Sequence, residues 1–345
     1  MSLSSINLST LNSPSLVTAA GIALYGSAPL IQKFALEASL PVLAVTRALS
    51  YSINIASVSV PGRMDGDTSE MKEGSMSARK GTSLVTPSGW AFAIWGPIFL
   101  GELISVVAPF FSLNSEKTKN SEWMNMIRTT SGPFIRAQLF QSLWCAAFRP
   151  KYTGYARWIS TGMLIMTALC LNEAHRTLTS STARMTNMNV SNTLIYSFPI
   201  ALHFGWTTAA SLVNLNGSAS HFSKTLTQKT RNIISHVSVG LATCVGLFIT
   251  LQRRAPIYGG VIAWALSAVA DSMNQRLLSS GDQGEDRIVP DKKSIQVQRF
   301  LCKMGALMNI FAMAFVTELG FVSWNHQRLN SGSGGSSTSS SLSSF

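Results

Sequence analysis

Thr86-Pro87-Ser88-Gly89-Trp90-Ala91-Phe92-Ala93-Ile94-Trp95-Gly96-Pro97-Ile98-Phe99-Leu100-Gly101-Glu102 opens an apolar run that continues to residue 112. From residue 90 onward its one ionisable side chain is Glu102. A helix needs about 20 residues to cross the hydrocarbon of a bilayer, and this run is long enough. Because hydrocarbon offers no water to backbone N–H and C=O groups, an apolar run without a period of two has to be helical. Pro97 inside the run is expected to loosen the hydrogen-bond ladder one turn earlier and expose a carbonyl to a cavity. Trp95 and Glu102, seven residues apart, fall on one helix face two turns apart.

Working outward, six more apolar runs follow at 133–148, 155–172, 193–215, 232–251, 257–276 and 299–324. Five of the seven reach or approach a spanning length; the second and third are short and are expected to lean on Arg136, Tyr152 and Arg157 at the interface. The fold class that follows is all-α, a polytopic transmembrane helical bundle. Composition agrees: 46% of residues are hydrophobic and 12% charged, against about 25% charged in soluble domains. The excess of 27 basic over 15 acidic residues, a net charge of +12, fits Lys and Arg flanking spans and meeting anionic headgroups. It forms no basic stripe interleaved with aromatics, so membrane lipids and not nucleic acid are the expected partners. The side holding residues 61–85, 149–154, 216–231 and 277–298 is the more basic, which places it toward the cytosol, or the stroma or matrix of an organelle.

The two ends read differently. Residues 1–60 are rich in Ser, Ala and Leu, hold one acid (Glu37) and are broken by Pro14, Pro29 and Pro41. That composition suits a plastid or mitochondrial targeting leader; its rival is a span at about 38–60 containing Arg47, disfavoured by the cost of a cation near a helix centre. Residues 61–85 mix Gly, Ser and both charge signs and read as a flexible linker, residues 86–325 as the bundle, and 326–345 as a disordered Ser/Gly tail.

A charge inside hydrocarbon costs at least about 2.5 kcal/mol and faces a cavity or a partner. Glu102 is the sharpest case, and His203, three residues before Trp206, shares a face with it. An acid, an imidazole and two indoles around one cavity suit a planar ring with a polar edge; the competing reading makes Glu102 and His203 structural hydrogen bonds between helices. Asp271 and Glu318 sit near run ends, within reach of water. Asn214 and Asn309 suit interhelical hydrogen bonds, and Gly205 with Ala209 a close helix contact. Cys145, Cys170, Cys244 and Cys302 lie in four different runs and read as small buried hydrophobes. No phosphate loop, HExxH or GxSxG motif occurs, and the five histidines show no metal spacing.

The wording of residues 86–102 resembles the first helix of the TspO/MBR proteins, the tryptophan-rich sensory or translocator proteins. Phe198-Pro199-Ile200-Ala201-Leu202-His203-Phe204-Gly205-Trp206-Thr207-Thr208-Ala209-Ala210-Ser211-Leu212-Val213-Asn214 is similar to that family's Pro…Trp-x-x-x-Ala-x-x-x-Asn helix. Weaker echoes are Gln141 to Phe148, with Trp144, and Ala255 to Leu266. Together they run from about 86 to 276 in family order. The resemblance implies five family-like helices, here with about two additional spans as in a longer branch of the family. It also implies an apolar or amphipathic ligand such as a porphyrin or sterol, in transport, sensing or tetrapyrrole breakdown. A sterol-type pattern appears only reversed, as Arg254…Tyr258…Val261. The expectation is an integral membrane sensor or carrier of a hydrophobic ring ligand, contacted by Trp95, Glu102, Trp144, His203, Trp206 and Asn214. No resident cofactor or metal is expected, porphyrin or haem entering only as ligand, and a homodimer stays open. The alternatives are a tetrapyrrole-degrading enzyme with Glu102 as proton donor, and a non-catalytic membrane scaffold.

Overall fold

The structure, a computed structural model, describes residues 12–59, 83–111, 122–149, 151–180, 193–220, 226–279 and 290–332. Among them it has ten α-helices and no strand: α1 (Pro14–Gly26), α2 (Ala28–Glu37), α3 (Leu40–Ser59), α4 (Trp95–Phe111), α5 (Glu122–Ala147), α6 (Arg157–Leu178), α7 (Phe198–Ser220), α8 (Gln228–Arg253), α9 (Pro256–Ser279) and α10 (Lys292–Gly332). The seven apolar runs correspond in order to α4 through α10. Residues 61–82 of the expected linker and 333–345 of the expected tail lie outside the described residues, whereas residues 326–332 continue α10.

Two helices differ in length from their runs. Helix α5 starts eleven residues before the apolar stretch and has 26 residues, and α6 has 22, about 39 and 33 Å at 1.5 Å per residue. Neither is short, but both are polar, because Ser131, Gln138 and Gln141 of α5 and Thr161 and Thr167 of α6 are buried among neighbouring helices. Hydropathy therefore recognises few spans. Among the described residues three helical stretches are long and apolar enough to cross a membrane: Gly89–Phe111, Gln228–Arg253 and Lys292–Gly320, with a fourth if α1 and α2, bent by 53°, act as one.

Helix α7 is central, packing on α4, α6, α8 and α9; α5 lies against α1, α2, α3 and α6, and α10 against α8 and α9. Small residues set the closest crossings. A Cβ on Gly205 would sit 2.8 Å from the Cβ of Val261, so α7 and α9 meet nearly backbone to backbone. This crossing buries Tyr258 and Val261 of the reversed sterol-type pattern, while its Arg254 is exposed. Outside, the usual order inverts. Ile233, Val237, Leu241, Phe248 and Leu251 form an exposed apolar stripe on α8, and Phe300, Met304, Leu307, Phe311 and Phe315 one on α10. Exposed apolar stripes around a core holding Arg47, Glu102, Gln138 and His203 describe an integral membrane protein, solvated by hydrocarbon.

Residues 14–59, expected as leader, form α1 to α3, and the prolines that punctuate the segment mark helix starts: Pro14 and Pro29 lie in the first two positions of α1 and α2, and Pro41 is the second residue of α3. Helix α3 packs on α4 and α5. Arg47, whose cost counted against a span here, turns inward: its guanidinium lies 4.3 Å from the centre of the Phe134 ring and donates from Nη1 to Ser131 Oγ at 3.1 Å. Pro97 also differs from expectation. It falls in the first turn of α4, after the 3-10 turn Gly89–Ile94, where no intrahelical N–H partner is lost and no mid-span break arises. Of the cysteines, Cys145, Cys170 and Cys302 are buried, but Cys244 is exposed on the lipid-facing side of α8.

Candidate functional site

The site begins where α4 meets α7. Gly101 permits the contact: a Cβ there would lie 2.8 Å from Cβ of Pro199. At this distance the next residue of α4, Glu102, reaches His203, one turn along α7. His203 Nδ1 and Glu102 Oε1 are 2.6 Å apart, and both side chains are 0% exposed. The second carboxyl oxygen accepts from Gln138 Nε2 of α5 at 3.0 Å. Asn54 of α3 then donates through Nδ2 to Gln138 Oε1 at 2.5 Å and to Gln141 Oε1 at 3.1 Å. Five side chains from four helices thus form one buried chain. The other ring nitrogen, Nε2, is also buried and has no partner among the described residues.

Aromatic rings enclose the pair. Trp95 stacks on Phe99 at 5.0 Å and meets His203 edge-on at 5.7 Å and Trp206 at 6.1 Å. Trp206 in turn meets Phe92 at 5.7 Å. Trp95, Glu102, His203 and Trp206 therefore come together, but Glu102 and His203 are sealed, engaged with each other and with Gln138.

Open space lies on the other side of Trp206. A small apolar cleft, partly open to its surroundings, is lined by the stretch before α4 (Val85, Pro87, Phe92) and by α7, α8 and α9, with Trp206, Ala210, Val239 and Leu266 among its walls. None of the lining residues is ionisable. Ser238, the one hydroxyl, already donates to Ile234 O at 2.8 Å and accepts from Asn216 Nδ2 at 2.8 Å. The front wall is held on α9 by three bonds: Ser88 N to Ala268 O at 3.0 Å, Trp90 Nε1 to Asp271 Oδ2 at 3.0 Å and Trp264 Nε1 to Ala91 O at 3.1 Å. Trp90 is thus a tether as well as an exposed aromatic, and Asp271 is its acceptor.

Trp144 and Asn214 lie elsewhere. Trp144 stacks on Phe148 of its own segment at 5.3 Å. Asn214 ties α7 to α6, its Nδ2 donating to Ser160 Oγ at 3.2 Å. The residues that sequence reasoning passed over are Asn54, Gln138, Gln141 and the cleft walls. Gln138 and Gln141, three apart in an apolar run, carried a readable signal; Asn54 sat in a segment set aside as a leader, and the alanines and valines of the cleft carry none. Among the described residues no three His, Cys, Asp or Glu side chains group to hold a metal.

A family model described as TSPO-like protein matches residues 43–280, from within α3 to the end of α9. The match starts one helix before the Thr86 motif, so it takes in Arg47 and Asn54. No curated protein and no solved structure matches the chain.

Proposed function

The chain belongs to the TSPO-like protein family, and on that premise we propose that it binds a hydrophobic ring ligand in the membrane, as a carrier or sensor, at the cleft beside Trp206. The observation that carries this reading is the cleft itself. It is concave, apolar, bounded by a buried indole and set between helices of a bundle, which is where membrane proteins bind small apolar molecules. The Glu102–His203 pair then has a supporting role: it fixes α4 against α7 and so orients Trp95 and Trp206. A tetrapyrrole-degrading mechanism through Glu102 has less support, since that carboxyl has no open face. An organellar membrane is the proposed location, on the acid-free, Ser-rich composition of the residues that precede α1.

The test is quenching of tryptophan fluorescence on titration with protoporphyrin IX, haem and a sterol. Saturable quenching by at least one ring system is expected, with Ala210→Leu, which fills the cleft, abolishing it. Absence of saturable quenching by all three would refute the reading.

A further inference from the structure

Three guanidinium groups gather at one corner of the bundle, where α6 and α8 end and α9 begins. Arg176 lies in the last turn of α6, Arg253 closes α8, and Arg254 follows it. Arg253 reaches across to α6: its Nη2 donates to Asn172 Oδ1 at 2.7 Å and its Nη1 to His175 Nδ1 at 3.1 Å. An imidazole nitrogen that accepts an N–H belongs to a neutral ring, so neither partner offsets the charge. Arg176 lies close enough to repel Arg253. Arg176 and Arg254 are exposed, and among the described residues none of the three makes an ion pair. Glu173, three residues before Arg176, is taken by Arg136.

Cations at the C-termini of α6 and α8 suit the helix dipoles, but that does not account for three like charges without a counter-ion. Nor does the basic bias of the loops, because residues 149–154 and 216–231 precede α6 and α8 and so lie at the opposite end of the bundle. Arg254 also has a left-handed backbone, φ 50° and ψ 50°, as does no other non-glycine residue among those described. A long cation thus stands at a helix end whose backbone favours glycine. Next to the corner the surface is apolar: Leu169, two turns before Arg176 on the same face of α6, is exposed, as are Phe248 and Leu251 of α8.

We propose that this corner binds an anionic phospholipid, its headgroup phosphate received by Arg176, Arg253 and Arg254 and its acyl chains lying along Leu169, Phe248 and Leu251. Guanidinium groups suit phosphate because they offer parallel N–H donors as well as charge. Arg253, already held by Asn172 and His175, loses little freedom on receiving it. A zwitterionic lipid brings its own cation to the phosphate and gains less. The site is separate from the cleft beside Trp206 and does not depend on it.

The experiment counts lipids bound to the full-length protein by native mass spectrometry, with phosphatidylglycerol and phosphatidylcholine of equal chain length in competition. The first phosphatidylglycerol is expected to bind at least about tenfold more tightly than phosphatidylcholine. Arg176→Gln and Arg254→Gly should each reduce that preference about fivefold, the worth of one arginine at an anionic membrane surface. Glycine suits the backbone of residue 254, so Arg254→Gly removes the charge without straining the fold. Lys293→Gln, at the other end of the bundle, should leave the preference unchanged. Equal binding of the two lipids by the wild type overturns the proposal, as does an undiminished preference in a folded Arg176→Gln/Arg254→Gly protein. Phosphatidylglycerol displaced completely by millimolar inorganic phosphate would make this a site for a free anion and overturn the lipid as occupant.

Discussion

Glu102 and His203 show how a buried polar pair behaves when neither member can reach water. Each is fully enclosed; His203 bonds through its ring to Glu102, and Glu102 has Gln138 as its other side-chain partner. Removing one member strands the other, which in buried pairs costs on the order of 3–5 kcal/mol, whereas replacing both with apolar residues costs far less. Glu102→Leu is therefore expected to lower stability in a nanodisc melting experiment by more than the Glu102→Leu/His203→Leu double variant does. Additive losses in the two singles and the double would show that the pair is not coupled. Both residues were legible in the sequence, because an ionisable side chain inside an apolar run is a strong signal wherever it occurs. Their partners were less so. Gln138 and Asn54 are ordinary polar residues, and only the crossing of α3 and α4 with α5 reveals that they complete the same chain.

The crossing of α4 on α7 is set by a glycine of α4. Gly101 lies against Pro199, and a methyl group there would overlap it. Gly101→Ala is expected to push the helices apart, costing about 1–3 kcal/mol as overpacked contacts do, and to shift the emission of Trp95 and Trp206, which report on this contact. Gly96→Ala is the control: the same substitution in the first turn of α4 meets nothing within 4 Å and should be neutral or slightly stabilising. Equal effects of the two would remove the crossing as the cause. The existence of seven helical segments could be read from apolar runs, but their lengths could not. Helix α5 extends through Glu122 to Gly132 because its polar residues find partners inside the bundle, such as Ser131 with Arg47, and no periodicity in the sequence announces that.

Across the whole molecule, hydrocarbon solvates the outside and polar groups are held within. The segment with leader-like composition takes part in this arrangement through α3, whose Arg47 and Asn54 bond to Ser131, Gln138 and Gln141 of α5. A chain beginning at residue 60 is expected to lose these contacts and give no cooperative thermal transition, while one beginning at residue 12 should melt like the full chain. Indistinguishable melting of both would mean that α3 is dispensable to the bundle. The family match, which starts at residue 43, is consistent with α3 as part of it.

By itself the sequence determined the solvent and the secondary structure: low charge, long apolar runs and the impossibility of unpaired backbone in hydrocarbon leave a helical membrane bundle as the outcome. It also determined which residues are costly in such a bundle, and so singled out Glu102 and His203. Only the tertiary structure decided what these residues face. Side-chain partners and empty volume are properties of how helices cross, set by contacts such as Gly101 on Pro199 and Gly205 on Val261 that join residues far apart in the chain. The same crossings close the space around the Glu102–His203 pair and leave a cleft beside Trp206, where Ala209, Ala210, Ala242 and Ala265 lie among the walls and fill little of the space between helices.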